Sequence, residues 1–195
     1  MSYEIPIHEL FAVLDERLKN GNILLAIEGG SASGKTTLAA RLLEKYDATA
    51  VHIDDFFLRP HQRTPERLSE AGGNFDRERF LDEVLIPLRQ NKIVLYRKFD
   101  CKTQTLEAPI CLVPKPLTVI EGVYSMHPEL SSFYDLSVFL DIDPETQRER
   151  IRKRNEPPLA ERFFKEWIPL ENLYFEKTAT QKRCDWVIKQ KEQVR

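Results

Sequence analysis

The sequence has little of what would mark several large protein classes. Its 195 residues hold only three cysteines, Cys101, Cys111 and Cys184. They are scattered and odd in number, which argues against a disulfide framework and lacks the close pairing of a zinc site. Free thiols in a reducing, cytoplasmic setting are the expectation. No apolar run approaches the roughly 20 residues that a membrane-spanning helix needs. The first twenty residues carry acids and no apolar signal core, so they do not read as a secretory peptide. Neither sign of charge dominates, with 29 Lys+Arg against 31 Asp+Glu and a net charge of -2. Binding to long nucleic acid through its phosphates calls for a basic excess, and that class is disfavoured. Internal repeats and low-complexity stretches are missing too.

What the chain does have is buriable surface: 11 Phe, 6 Tyr and 2 Trp in a sequence that is 42% hydrophobic. That suits one folded domain over residues 1–195 and argues against disorder. Ile7, Leu10, Phe11, Leu14 and Leu18 recur at helical spacing, which predicts a helix over 5–20 closed by Asn20-Gly21. Residues 23–27 are wholly apolar, as a buried parallel strand requires. Further strands are expected at 50–53, 117–120, 136–140 and 186–188. Helices are expected after the strand at 23–27, with Leu38, Ala39, Leu42 and Leu43 on one side, around Phe80–Leu88, at 144–155 and over a proline-containing stretch at 158–178. Residues 58–76 read as a long polar loop, and 92–112 as irregular short strands or a hairpin. Short apolar strands alternating with helices indicate a three-layer α/β fold with a mainly parallel sheet.

Between the first buried strand and its helix lies Gly29-Gly30-Ser31-Ala32-Ser33-Gly34-Lys35-Thr36, which fits G-x-x-x-x-G-K-[ST]. Small residues let backbone N–H groups wrap a phosphate, and the helix N-terminus adds a favourable dipole. Lys35 is placed to reach the β/γ-phosphates and the Thr36 hydroxyl to ligate Mg²⁺, with Thr37 completing the turn. The motif therefore predicts ATP·Mg²⁺ and a P-loop NTPase fold. A GTPase would add an N-K-x-D segment, and Asn91-Lys92-Ile93-Val94 lacks the aspartate. An ABC-type signature is missing as well, since Leu68-Ser69-Glu70-Ala71-Gly72 comes too soon after the loop. Small-molecule kinases remain.

In an open parallel sheet, ligands sit beyond the carboxyl ends of the strands. Asp54-Asp55, Glu121 and Asp141/Asp143 fall there. Phosphoryl transfer to a hydroxyl needs one carboxylate to take the proton and another near the metal. Asp54 is the better base, although Asp55 is its equal in sequence, and Glu121 is placed for the metal. Asp143-Pro144-Glu145 reads as a helix start instead. His52, inside a strand, reads as a packed core histidine. Phe163, Phe164 and Trp167 fall at helical spacing and also read as core.

On these residues the chain resembles the uridine/cytidine kinase branch of P-loop kinases, relatives of phosphoribulokinase and pantothenate kinase. The matching segments are Gly29–Thr36, Asp54-Asp55-Phe56-Phe57, Asn74-Phe75-Asp76, Glu121-Gly122, and Thr146–Arg154, which resembles an arginine-bearing lid at roughly 145–165. The resemblance implies that Asp54 is the catalytic base and that Asp76 binds acceptor hydroxyls. It also implies that Arg150 and Arg154 clamp phosphates. Independently, their spacing of four puts both guanidiniums on one helix face. Phe57 is expected beside the acceptor.

The sequence departs from that family at its base-reading segment. Phe99-Asp100 keeps the start, so Asp100 is expected to touch substrate, but Gln104 stands near the place of a histidine. Asn155-Glu156-Pro157-Pro158 replaces the lid's glycine-and-arginine turn, with Arg162 as compensation. Kinase chemistry therefore transfers better than the choice of uridine. The acceptor is a hydroxylated small molecule: a nucleoside, or alternatively pantothenate or a sugar. A non-catalytic ATP-sensing protein is a further alternative. Related kinases often form oligomers, but the sequence carries no interface signal.

Overall fold

A computed structural model describes residues 3–189. Strand β1 (Tyr3–Glu4) leads to helix α1 (Ile7–Arg17), strand β2 (Ile23–Glu28), helix α2 (Lys35–Lys45) and strand β3 (Ala48–His52). A 3-10 turn (Ile53–Phe56) and the short helix α3 (Pro65–Ser69) follow. Next come α4 (Arg77–Phe80), a π-turn (Leu81–Leu85) and α5 (Ile86–Arg89) in one continuous rod. Strands β4 (Val94–Asp100) and β5 (Thr105–Leu112) precede β6 (Leu117–Glu121) and β7 (Leu136–Asp141). Helices α6 (Pro144–Arg154) and α7 (Pro157–Arg162), a second π-turn (Phe163–Trp167), α8 (Ile168–Thr178), α9 (Thr180–Arg183) and strand β8 (Trp186–Lys189) complete the described chain.

The six-stranded sheet runs β1-β8-β7-β2-β6-β3, and every pairing in it is parallel. Strands β4 and β5 form a separate antiparallel hairpin, longer and more regular than residues 92–112 suggested. The mainly parallel, helix-covered sheet expected from apolar strands alternating with helices is the one observed. Alternation along β2 divides its side chains between two cores. Ile23, Leu25 and Ile27 pack with Leu10, Leu14, Leu38 and Leu42 of α1 and α2. On the other face, Leu24 joins Phe56, Phe75, Phe80 and Tyr174.

Local chemistry sets the element ends. Pro6 is extended (φ -72°, ψ 152°), so the first helix begins at Ile7 and stops at Arg17, short of the 5–20 expected. Asp143 caps α6 by accepting from the Glu145 and Thr146 amides, with Pro144 at the first helical position. Both π-turns precede an Ile-Pro pair. Ile86 N–H bonds back to Leu81 and Ile168 N–H to Phe163, five residues earlier in each case. Proline has no N–H for the usual i−4 carbonyl and its ring crowds that turn, and the wider turn relieves both.

Register places the chemistry. Ile27 and His52 are both aligned with Glu121, on the two sides of β6. The phosphate loop, Glu121 and the 3-10 turn bearing Asp54 therefore meet at one edge of the sheet. Asp54 does not follow β3 directly, as the pattern of apolar residues implied, because Ile53 already belongs to the turn.

Candidate active site

The phosphate loop bends over the end of β7. Gly29 has φ +141°, and a Cβ there would lie 2.5 Å from the Leu140 carbonyl oxygen, so only glycine fits. Gly34 enters α2 at φ 96°, and Ala32 also sits in the left-handed region at φ 62°. The first amides of α2 have no intrahelical acceptors and face outward with the positive end of the helix dipole. Lys35 is buried, with its Nζ donating to the carbonyls of Gly29 (2.9 Å) and Gly30 (3.0 Å).

Three neighbours brace the middle of the loop. Gln147 Nε2 donates to Ser31 O (2.9 Å) and Arg150 Nη1 to Ala32 O (3.2 Å), both from α6. From α8, the buried Glu171 accepts from Ser31 N (2.9 Å) and from the Ser31 hydroxyl. Burial pushes its carboxyl pKa up, against the bonds from Ser31. Behind the loop, the fully buried Glu28 accepts from Gly29 N (2.9 Å), Met126 N (3.0 Å) and Tyr174 OH (3.1 Å). Desolvation raises its pKa to about 7 despite these donors and Lys35.

At the start of α2, Thr36 Oγ1 donates to Glu121 Oε1 (3.0 Å), and His52 Nδ1 lies 2.5 Å from the same oxygen. His52 is thus no core histidine. Its side chain is 39% exposed beside the buried Glu121, because β3 is an edge strand. The bond to Glu121 raises the His52 pKa. Burial pushes the Glu121 carboxyl up, but His52, Lys35 and Thr36 outweigh it and hold it low. Among the described residues, no group of three or more His, Cys, Asp or Glu side chains is assembled as a metal cage. One hydroxyl and one carboxylate match the sparse protein ligation of Mg²⁺, which draws its other ligands from phosphates and water.

A cavity of about 1140 Å³ opens from this loop. That exceeds what a single drug-sized ligand usually occupies and suits two bound molecules. Lys35, Thr36, Thr37, Asp54, Glu121, Arg150 and Arg154 line it together, as do Phe57 and Gln104. Asp54 presents an exposed side chain to the cavity and, among the described residues, has no hydrogen bond or ion pair. The protein crowded around it raises its pKa; Lys35 opposes this, and Glu121 and Asp55 add to it. Asp55 is turned away, paired with Lys98 (3.2 Å) and approached by Tyr96 OH (3.4 Å).

Two expected substrate residues do not reach the wall. Asp76 is 1% exposed: it caps α4 through Arg79 N and pairs with Arg79 Nε (3.3 Å) and Arg59 (3.8 Å). Asp100 is spent on the hairpin turn, accepting from Lys102 N (2.7 Å) and Thr103 Oγ1 (3.0 Å). Phe56 is core, whereas the half-buried Phe57 faces the cavity. Phe163 and Trp167 are not core either, because the second π-turn rotates both onto the cavity wall in an edge-to-face pair (4.4 Å). Arg154 lies over Phe163 (5.4 Å) and Arg162 over Trp167 (5.0 Å), while Phe164 carries Arg148 and Arg152. Glu171, Gln147 and Glu28 escaped the sequence reading, since an acid or amide within a helix or strand carries no motif.

The family model described as "Phosphoribulokinase / Uridine kinase family" matches residues 24–155. The uridine kinase of Geobacillus kaustophilus is 25% identical over 174 residues, spanning 80% of this chain and 81% of its own. That of Macrococcus caseolyticus is 28% identical over 131 residues, 62% of each chain. A solved structure described as a possible uridine kinase from Bacillus stearothermophilus shares the fold. Its TM-score is 0.64 at 24% identity, covering 92% of this chain and 99% of its own. Among the described residues, no helix is long and apolar enough to cross a membrane.

Proposed function

This chain belongs to the phosphoribulokinase/uridine kinase family, and from that premise we propose that it is an ATP-dependent kinase phosphorylating a hydroxyl of a small metabolite. The observation that carries the reading is Asp54, a carboxylate unpaired among the described residues, in the same cavity as Lys35 and the phosphate loop. ATP·Mg²⁺ supplies the γ-phosphoryl group and charge neutralisation when bound. Thr36 and Glu121 are the residues to hold the metal, and the loop amides and Lys35 to hold the phosphates.

Asp54 accepts the proton of the acceptor hydroxyl as the hydroxyl oxygen bonds to the γ-phosphorus and the bond from that phosphorus to the bridging oxygen breaks, releasing ADP. A raised pKa brings it closer to the operating pH, where a base both stays ionised and accepts well. Lys35, Arg150 and Arg154 offset the negative charge spread over the transferring group. Helices α6 and α7 with the second π-turn wall the cavity and limit water, which would otherwise compete as acceptor. The fold of the uridine kinase branch favours a nucleoside-like acceptor. Gln104 on the wall, in place of a base-reading histidine, favours a different one.

The test is Mg²⁺-dependent ADP release from ATP with uridine, cytidine, other nucleosides, pantothenate and sugars. Stimulation far above the acceptor-free rate by one of them supports the kinase reading. Tight nucleotide binding with no stimulation by any acceptor shifts weight to a nucleotide sensor.

A further inference from the structure

Five arginines lie between residues 59 and 79, and four of them face carboxylates. Arg59 lies 3.8 Å from Asp76, and Arg67 pairs with Glu78 (2.6 Å). Arg77 pairs with Glu70 (2.9 Å) and Glu129 (2.9 Å), and Arg79 with Asp76 (3.3 Å) and Glu83 (3.2 Å). Among the described residues, Arg63 alone of the five has no acidic partner, and it lines the cavity. It is also held in place. Its Nε donates to the Leu58 carbonyl (2.9 Å), and its guanidinium stacks 5.6 Å from the Phe99 ring centroid. That leaves the Nη edge to meet a ligand, in the fork that matches a carboxylate or phosphate.

The acids of the same region are withdrawn. Asp55, Asp76 and Asp100 are each engaged with a cation or a turn and do not line the cavity, and the wall's other carboxylates, Glu121, Glu166 and Glu171, are engaged by His52, Arg162 and Ser31. A sugar diol is usually held by carboxylate acceptors, and among the described residues Asp54 is the one lining carboxylate with no hydrogen bond or ion pair of its own. Cys101 lines the same cavity and is within electrostatic reach of Arg63 and Asp54. Burial raises its thiol pKa, Arg63 pulls it down, and Asp100 and Asp54 push it up. A positioned cation and a free base thus line one cavity, together with Phe57, Leu58 and the amide of Gln104.

Building on the kinase reading, we propose that the phosphoryl acceptor carries an anionic group, a carboxylate or a phosphate monoester, that Arg63 binds while its hydroxyl faces Asp54. Arg63 is then the residue that selects acidic acceptors over neutral ones.

Two experiments test this. The first measures ADP release with matched compounds: hydroxy acids such as glycerate and pantothenate, phosphate monoesters such as glycerol 3-phosphate, and the neutral glycerol, uridine and methyl glycerate. Turnover confined to acidic members is expected, and the preferred arm separates carboxylate from phosphate. Arg63→Gln should raise the acceptor KM about 10- to 100-fold, as loss of a charged hydrogen bond does, with Arg63→Lys intermediate and the KM for ATP little changed. Equal or better turnover of neutral members, or an effect confined to ATP, overturns the proposal.

The second experiment needs no catalysis, so it separates failure of this inference from failure of the kinase reading. Cys101 and Cys111 are both exposed free thiols. Each is alkylated with anionic iodoacetate and neutral iodoacetamide, and the rates are read by peptide mass spectrometry. Arg63 should favour iodoacetate at Cys101, and Arg63→Gln should lower that preference several-fold without changing Cys111. An unchanged ratio at Cys101 in Arg63→Gln overturns the proposal, whatever the acceptor panel shows.

Discussion

Glu28→Gln tests how a buried charge behind the phosphate loop affects stability. Glu28 is 0% exposed and its pKa is raised from 4.5 to about 7. Between those values the native chain holds a proton that the unfolded chain has released. Its stability contribution therefore falls as pH rises through this window and stays low above it. From pH 5 to pH 8 the loss amounts to about 2 to 3 kcal/mol. His127 acts in the opposite sense. Burial, with Arg77 nearby, lowers its pKa to about 4, so folding is strengthened as pH rises from there to 6.5. The wild-type profile alone would blur the two, and the difference between variant and wild type isolates Glu28.

Glutamine cannot titrate, but it replaces one carboxylate oxygen with an NH₂ group. That group faces the Gly29 or Met126 amide, and one donor left unpaired costs about 1–3 kcal/mol. The variant should be weaker than wild type at pH 5 and close to it at pH 8. Its relative stability should rise by about 2 to 3 kcal/mol across that range, a melting difference of roughly 5 to 10 °C. Urea titrations at both pH values, followed by tryptophan fluorescence, provide the measurement. Parallel pH profiles for the two proteins would refute the reasoning and mean that the three donors fully offset the burial of Glu28.

Asp54→Asn should lower kcat about 10²- to 10⁴-fold with nucleotide affinity retained, and Asp55→Asn much less; the reverse order in steady-state kinetics would reassign the base. Gly29→Ala should abolish nucleotide binding in a titration with a fluorescent ATP analogue, because its Cβ meets the Leu140 carbonyl at 2.5 Å where neither backbone can yield cheaply. Wild-type affinity there would mean that the loop is looser than its contacts imply. Glu171→Ala leaves the Ser31 amide and hydroxyl without their acceptor and should cost about 1–3 kcal/mol of stability in urea. A change under about 0.5 kcal/mol would show that water replaces the carboxylate without loss.

Much of the frame was legible because its causes are local. The phosphate loop is eight contiguous residues whose glycines are required by backbone geometry within the same turn. The Asp143 cap acts on amides two and three residues on, and the apolar strands follow from burial on both faces. The failures share a cause as well. His52 reads as core until Glu121, 69 residues away, is aligned beside it on the neighbouring strand. Phe163 and Trp167 read as core until the π-turn before Ile168-Pro169 rotates them outward.

The sequence alone determined that this chain folds as a helix-covered parallel sheet with a phosphate cradle at its edge, and that the family is a kinase family. Only the tertiary structure distinguished Asp54 from Asp55, withdrew Asp76 and Asp100, and brought Glu171 to Ser31 from 140 residues away. Neighbouring aspartates are chemically identical until one meets Lys98 and the other meets open cavity. A side chain's role depends on what lies within a few ångströms of it, and between distant segments that distance is set by packing.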